Sequence, residues 1–585
     1  MGIGTGKHLF LSLIVIGVLA GGASAQTQRA DETQPQSGAA AAALSAPVTT
    51  ANQAIDRMIA REHQEIAAIR HYSPIIETYI QEMKEDKDLG AVPSVDHYFL
   101  GQADLTHGIV DNSLLTKKKG RAEELNPLAH IGNYFRSEFV PAGFLQMVYL
   151  DAYAFDRQHY QFEYVGKEFL GGVKCLVFDV KPLPHSGKGR FDGRIWAEDQ
   201  NFTIVRFNGV YLPLVSVRGY NLHFDSWREN VQPGLWLPAF IYSEESNLND
   251  FMGNRLRFKS QTRLWGYDLQ NVSRESEFTN LTIESPNANQ DQAITQTDRS
   301  PLEAERQWQH EAEVNVIDRL QRVGLLAAPG AVDKVMETVV NNLEVTNNID
   351  VEPDVHCRVL LTTTLESFTI GHTIVLSRGL LDTLPDEASL AAMLAQELAD
   401  IIVTKPSNDQ WGFNDMTNVS TVDALSHFTF RDNPDQVQLA SQKAVELLKN
   451  SPYKDKLGPA GLFLKELSTE SKQLQALINP HIGNRVFLYT QLISTAPALQ
   501  PAKVDQISAL PIGARIKLDP WTDQVELVQA KPLPLTSARE KMPFELTPFM
   551  PYLTYYQKPG SGDMGNAAKS DLAKKVQQQQ QQQPQ

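Results

Sequence analysis

The chain has 585 residues, of which 42% are hydrophobic and 21% charged, the composition of a globular protein able to bury several cores. Its 53 Lys and Arg stand against 69 Asp and Glu, a formal charge of −16 with no basic block, which argues against nucleic acid as a partner. The cysteines, Cys175 and Cys357, are too few and too far apart for a disulfide framework and read as small core residues.

At the N-terminus Lys7 and His8 precede an apolar run from Leu9 to Ala20, and Ala23-Ser24-Ala25 supplies a small-residue cleavage site. This pattern predicts a secretory signal peptide over residues 1–25, cut after Ala25, and an exported protein, periplasmic or extracellular. The alternative, an uncleaved anchor, needs a run nearer the roughly 20 apolar residues that span a bilayer. No cysteine follows the run to accept a lipid, and no later stretch has the length and apolarity of a transmembrane span, so none is expected in the mature chain.

Residues 26–50 are Gln, Ala, Ser, Thr and Pro, the composition of a disordered linker. Over 51–88 the recurrence of Ile55, Ile59, Ile66 and Ile69 predicts a helical segment, kinked or divided at Pro74. From 89 to 283 the signal is that of strands. Tyr160, Phe162 and Tyr164 alternate with polar residues, Gly171-Gly172 makes a turn, and Val173 to Val180 resumes an extended run. Phe191–Ala197, Phe202–Phe207, Leu222–Trp227, Leu235–Tyr242 and Arg255–Trp265 continue the series, which predicts a meandering antiparallel sheet. The stretch Phe191-Asp192-Gly193-Arg194-Ile195-Trp196, followed by Ile204-Val205-Arg206, is similar to the curved-sheet domains of periplasmic lipoprotein carriers. That likeness implies an apolar-ligand or lipoprotein-binding fold; a purely structural β-domain is the alternative.

A polar linker over 284–300 leads to a long helix from Pro301 to Gly324, a second from Val332 to Leu343, and a strand over Cys357–Thr362. Then come Glu366-Ser367-Phe368-Thr369-Ile370, Arg378-Gly379-Leu380-Leu381, and a helix opening at Asp386-Glu387 that carries Gln396-Glu397-Leu398-Ala399-Asp400. In order and spacing, residues 301–490 resemble the M-48 metallopeptidases, the family of prenyl-protein endopeptidases, membrane heat-shock proteases and periplasmic outer-membrane-assembly proteases. In that family a strand and a Gly-Leu-Leu turn precede a helix bearing H-E-x-x-H. Residues four apart share a helix face, so two imidazoles grip one zinc while the Glu between them acts as base on the bound water.

The resemblance places Gln396 at the first His, Asp400 at the second, and Glu397 at the general base. The family's third ligand is a Glu in E-x-x-A-D on a later helix. Here a helix opens at Asn433-Pro434, and aligning Ala440 and Ala444 on the family's alanines puts Val437 at the ligand position and Ser441 at the Asp. The family's Thr-His-Pro ahead of an Arg-Ile pair reads Ile478-Asn479-Pro480 before Arg485-Val486. An amide, a carboxylate and an isopropyl group make a poor zinc site. Of the histidines, His356, His372, His427 and His481 lie nearest in sequence, and no pair stands four apart to replace the lost imidazoles. Glu397 falls on the apolar face with Leu390, Met393, Leu394 and Ile401, which predicts a buried carboxylate paired with an arginine or a backbone N–H; Gln396 and Asp400 fall on a more polar face.

Beyond the resemblance, residues 491–557 form a C-terminal extension. In it Ala514–Leu518 and Val525–Gln529 flank the turn at Asp519–Asp523 as a hairpin, and the Pro- and aromatic-rich Met542–Tyr556 is expected to pack over a neighbouring domain. Residues 558–585 are a Gln-rich, disordered tail. The expected fold class is α+β: an antiparallel curved-sheet domain followed by a mainly helical, metallopeptidase-like domain with a small sheet. The resemblance implies a pseudopeptidase that binds protein or peptide segments or scaffolds envelope assembly, with no cofactor. One alternative is an active zinc endopeptidase on an atypical ligand set; another is an acyl-chain or lipoprotein-binding module built on the β-domain.

Overall fold

The computed structural model of the chain describes residues 50–87, 90–105, 108–113, 141–187, 189–212, 222–249, 255–267, 269, 301–403, 430, 432–479, 482–498, 508–513, 515–527, 544–548 and 551–557. The expected signal peptide, the linker before Thr50, the linker over 284–300, the tail over 558–585 and the histidines His427 and His481 lie outside the described residues.

Helix α1 (Ala51–Ile69) opens on a capping box in which the Thr50 hydroxyl accepts from the Gln53 N–H and the Gln53 side chain accepts from the Thr50 N–H. It buries Ile55, Ile66 and Ile69, as their spacing predicts. The helical reading of 51–88 is corrected beyond that point, because Ile75–Asp86 is a strand, β1. Pro74 disfavours the α conformation in the residue before it, and Ile75, Ile76, Thr78, Tyr79 and Ile80 are β-formers. What decides the matter is pairing on both sides: β1 lies between β2 (Gly90–Asp104) and a strand that arrives much later in the chain.

After β3 (Gly108–Ser113) and the short α2 (Pro141–Gln146) come β4 (Tyr160–Leu170), β5 (Val173–Pro182), β6 (Arg190–Glu198), β7 (Ile204–Leu212), β8 (His223–Gln232), β9 (Leu235–Asn249) and β10 (Arg255–Trp265). They form one ten-stranded antiparallel sheet in the order β3-β2-β1-β10-β9-β8-β7-β6-β5-β4. The meander is as the sequence predicts; the junction of β1 with β10, which closes two meanders into one sheet, is not legible locally.

Alternation along these strands makes two apolar faces. One carries Phe191, Phe207 and Phe224 in edge-to-face contacts and is covered by α1, whose Glu62 receives both guanidinium nitrogens of Arg228 at 2.7 Å with neither side chain exposed. The other carries Trp196, Trp227, Trp236 and Phe240. Both faces of the sheet thus bury aromatic side chains, whereas the edge strand β4 is exposed over most of its length between Tyr160 and Leu170.

The second half contains α3 (Pro301–Arg322), α4 (Ala331–Asn347), β11 (His356–Leu360), β12 (Glu366–Ile370), β13 (Thr373–Ser377), α5 (Arg378–Thr383), α6 (Glu387–Val403), α7 (Pro434–Lys449), α8 (Gly458–Glu470), α9 (Gln475–Ile478), β14 (Asn484–Arg485), α10 (Thr490–Ile493), β15 (Ile516–Leu518) and β16 (Val525–Leu527). A four-stranded sheet, β11-β13-β12-β14, packs beside the helices, and β15 and β16 make the expected hairpin. The fold is α+β. Helix α7 starts where the sequence says, with the Asn433 carboxamide capping and Pro434 at the first turn. Gly379 has no alternative: a Cβ there would lie 1.8 Å from the Thr363 carbonyl oxygen.

The two halves share a core. Ile75, Tyr79 and Trp265 of the large sheet belong to the same buried cluster as Leu380, Met393 and Leu477 of the helical half. Buried carboxylates stitch the seam: Glu77 accepts from the Thr363 hydroxyl at 2.7 Å and from Arg378 at 2.8 Å, and Asp96 accepts the N–H groups of Ala476 and Leu477 at 2.8 and 2.7 Å. In the same way Asp382 accepts from the N–H groups of Gly513, Arg515 and Ile516, tying the C-terminal extension to α5.

Candidate functional site

Strand β12 lies against α6, and its alternation points Ser367 and Thr369 to the same side. Ser367 Oγ donates to Glu397 Oε1 at 2.7 Å and Thr369 Oγ1 donates to Asp400 Oδ2 at 3.2 Å. Downstream of β14, Tyr489 reaches the same carboxylate, its hydroxyl 2.7 Å from Glu397 Oε1 and 2.9 Å from Ser367 Oγ. Helix α7 packs along α6, and Gln396 Nε2 donates to the Val437 carbonyl at 3.3 Å. Just before α7, Asp432 is gripped by Asn484: its N–H donates to Asn484 Oδ1 at 2.9 Å, and its carboxylate accepts from Asn484 Nδ2.

Gln396 and Val437, named from sequence, are thus brought together through the Val437 carbonyl, while Asp400 joins Glu397 and Asp432 in one field of acidic charge. Two expectations need correction. Glu397 is buried as foreseen, at 1% exposure, but its partners are two hydroxyls rather than an arginine or a backbone N–H. Gln396 and Asp400, expected on a more polar face in a solvated or cleft-lining role, are 2% and 4% exposed, because α7 and β12 cover that side of α6. Ser367, Thr369, Asp432, Asn484 and Tyr489 were missed as site residues. For Ser367 and Thr369 a signal existed, polar residues alternating on a strand just ahead of the motif helix; for Tyr489 there was none.

The electrostatics follow from burial. Loss of water raises the Glu397 carboxyl to about 8, the Asp432 and Asp400 charges add to the rise, and the Ser367 and Tyr489 hydroxyls oppose it. Burial, then Asp400, raises Asp432 to about 6. Burial, then the Glu397 charge, pushes the Tyr489 phenol well above its ordinary range. At neutral pH Glu397 is therefore mostly a neutral acid held by hydroxyls. Gln396 Oε1, Glu397 Oε2 and Ser441 Oγ are buried without a hydrogen-bond partner among the described residues.

The residues present do not fit a zinc ion. Val437 offers no ligating atom in its side chain, and Gln396 and Glu397 offer only the single unpartnered oxygens Oε1 and Oε2, an amide and a mostly neutral carboxyl where two imidazoles and a carboxylate are needed. Among the described residues no group of three or more His, Cys, Asp or Glu side chains is placed to share an ion. His356 and His372 face other carboxylates, Glu337 at 3.5 Å and Glu313 at 3.6 Å. A buried, neutral carboxyl without access to bulk water is a poor general base. Its chemistry is that of a polar knot joining α6, β12 and the segment after β14.

On the large sheet, a pocket of about 220 Å³ opens where the turn after α2 meets β6 and β7; Tyr149, Leu150, Tyr211 and Arg190 line it. Arg190 is committed to Asp151 at 2.7 Å, and the Tyr211 hydroxyl to backbone carbonyls. Among the described residues no helix is long and apolar enough to cross a membrane.

No family model matches the sequence, and no curated protein matches it. Among solved structures, a DUF1329 family protein from Desulfovibrio piger is similar at 12% identity over 39% of this chain and 99% of that one, with a TM-score of 0.19. A domain described as an outer membrane lipoprotein-sorting protein, from Vibrio parahaemolyticus, gives 12% identity, 39% and 97% coverage, and a TM-score of 0.19. The MucA/MucB complex of Pseudomonas aeruginosa gives 9%, 36% and 93%, with a TM-score of 0.13. Likeness at these scores carries no inference about what this chain does.

Proposed function

We propose that this chain is an exported, non-catalytic protein with a metallopeptidase-like domain, and that it binds protein segments or scaffolds assembly in the cell envelope. One observation carries the reading: the carboxyl at the general-base position is sealed in the core by the Ser367 and Tyr489 hydroxyls. A carboxylate that must activate water needs a cation beside it and solvent in reach. The N-terminal Lys7–Ala25 pattern supports the export. The test is metal analysis and casein cleavage by the chain purified without residues 1–25. The expected result is no stoichiometric zinc and no chelator-sensitive cleavage, with Glu397→Gln indistinguishable from the parent. One tightly held zinc per chain, together with cleavage that Glu397→Gln abolishes, would overturn the proposal and establish the active-endopeptidase alternative.

A second reading places binding on the large sheet, as an acyl-chain or lipoprotein-binding module. The pocket beside Tyr149, Leu150 and Tyr211 favours it, although about 220 Å³ is below the roughly 300–1,000 Å³ of ordinary ligand sites. Saturable uptake of a fluorescent fatty acid that Leu150→Arg removes would support this reading, and no saturable uptake would end it.

A further inference from the structure

The C-terminal segment lies on the tryptophan face of the large sheet, and its two ends are held very differently. Phe544 and Leu546 are fully buried; the Gln81 carboxamide bonds the backbone of both, and Lys259 pairs with Glu545 at 2.6 Å. From 551 to 557 the hold is slight. Only Pro551 and Leu553 are buried, Tyr552 is 59% exposed, and Thr554, Tyr555 and Tyr556 are half-exposed. The Leu553 carbonyl accepts from the Gly172 N–H at 2.8 Å, and the Tyr556 N–H donates to Asn230 Oδ1 at 2.7 Å. The remaining polar contacts, Lys517 to the Tyr552 carbonyl and Tyr555 to Glu198, are long at 3.4 Å.

What this strap covers is unlike ordinary packing. Leu553 belongs to a cluster with Trp196, Trp227, Trp236 and Phe240, and Tyr555 meets Trp236 edge-on at 6.0 Å between ring centroids. Arg206 stands 4.2 and 4.4 Å from the centres of the Trp196 and Trp227 rings. Tryptophan, tyrosine and arginine around one apolar anchor pocket make up the composition of binding hot spots. The floor is shaped for a backbone: a Cβ on Gly171 would lie 2.6 Å from the Leu553 nitrogen, so an extended chain lies directly on the β4–β5 turn.

We infer that this face is a peptide-docking groove that the chain's own 551–557 strap fills as a placeholder, and that a partner's extended segment, with leucine followed two positions on by an aromatic, displaces it. Two buried side chains, two short hydrogen bonds and the edge-on rings of Tyr555 on Trp236 and Tyr556 on Trp521 must offset the ordering of seven residues, whereas 544–546 keeps the released strap tethered. Emptying the groove bares apolar surface of the tryptophan cluster around Leu553, so release and capture go together. The inference does not depend on whether the Glu397 site is silent.

The experiment uses the full mature chain. In hydrogen exchange of the parent protein, the Tyr556 and Gly172 amides are expected to exchange on the order of 100-fold faster than those in the middle of β8 and β9. Fluorescein-labelled peptide of residues 551–557 should bind Leu553→Asp, whose own strap is expelled, at least about 10-fold more tightly than it binds the parent, and tryptophan fluorescence should report its arrival. The same peptide with aspartate at the leucine should not bind. Strap amides exchanging as slowly as the core, or a folded Leu553→Asp that ignores the peptide, would overturn the inference. Should Leu553→Asp fail to fold, the exchange measurement on the parent decides alone.

Discussion

Replacing Glu397 by glutamine should invert the order of stability between acid and alkaline pH. In the folded chain the carboxyl titrates near 8, against 4.5 when exposed. The folded state therefore holds the proton more tightly than the unfolded state, so this group's stabilisation is fully present below about pH 4.5 and is lost as pH rises through 8. At about 1.4 kcal/mol per unit, the rise corresponds to an upper bound of roughly 5 kcal/mol. Glutamine keeps the shape and still accepts from Ser367 and Tyr489. It places an NH2, one donor more than the single O–H of the protonated acid, where Glu397 Oε2 has no partner among the described residues, a cost of about 1–3 kcal/mol. At pH 4 the parent should be the more stable by that amount. At pH 9 the variant should be the more stable by about 2–4 kcal/mol, the difference between the two effects. Urea unfolding across this range, followed by circular dichroism, gives both curves. Parallel curves would refute the reasoning, because they would mean that the carboxyl titrates alike in both states.

Tyr489→Phe removes one of two donors to Glu397 and should cost about 1–3 kcal/mol by denaturant unfolding; combined with Ser367→Ala, the losses should fail to add, since both hydroxyls serve one oxygen. Arg228→Met should cost about 3–5 kcal/mol because it leaves the Glu62 carboxyl buried without its partner, whereas Glu62→Leu together with Arg228→Met should recover most of that in the same assay. Gly379→Ala should cost at least about 3 kcal/mol and lower the melting temperature by several degrees, since the new methyl overlaps the Thr363 backbone.

Much of the architecture follows from short-range patterns. Period-two alternation and turn glycines are enough to place β4 to β10 as a meander, because side-chain alternation and turn residues are signals carried by the chain locally. The Asn433-Pro434 start of α7 and the hairpin around Asp519–Asp523 are likewise local chemistry, written in the residues that cap and turn. The expectation that the Pro- and aromatic-rich C-terminal stretch packs over a neighbouring element rests on its apolar content, and among its described residues Phe544, Leu546 and Leu553 are buried, Leu553 in the tryptophan cluster.

The tertiary structure decided the rest. Ile75–Ile80 follows a true helix and carries isoleucines at mixed spacing; only pairing with β2 and β10, the latter from almost two hundred residues on, makes it a strand. The wheel of α6 puts Gln396 and Asp400 on its polar side, yet α7 and β12 bury that side too. The sequence by itself determined that Gln396, Asp400 and Val437 could not supply imidazoles. That Glu397 is a neutral acid between Ser367 and Tyr489 could come only from the fold. A side chain's charge is set by the water it loses and the donors it meets, and here those donors lie 30 residues before it and 92 after it.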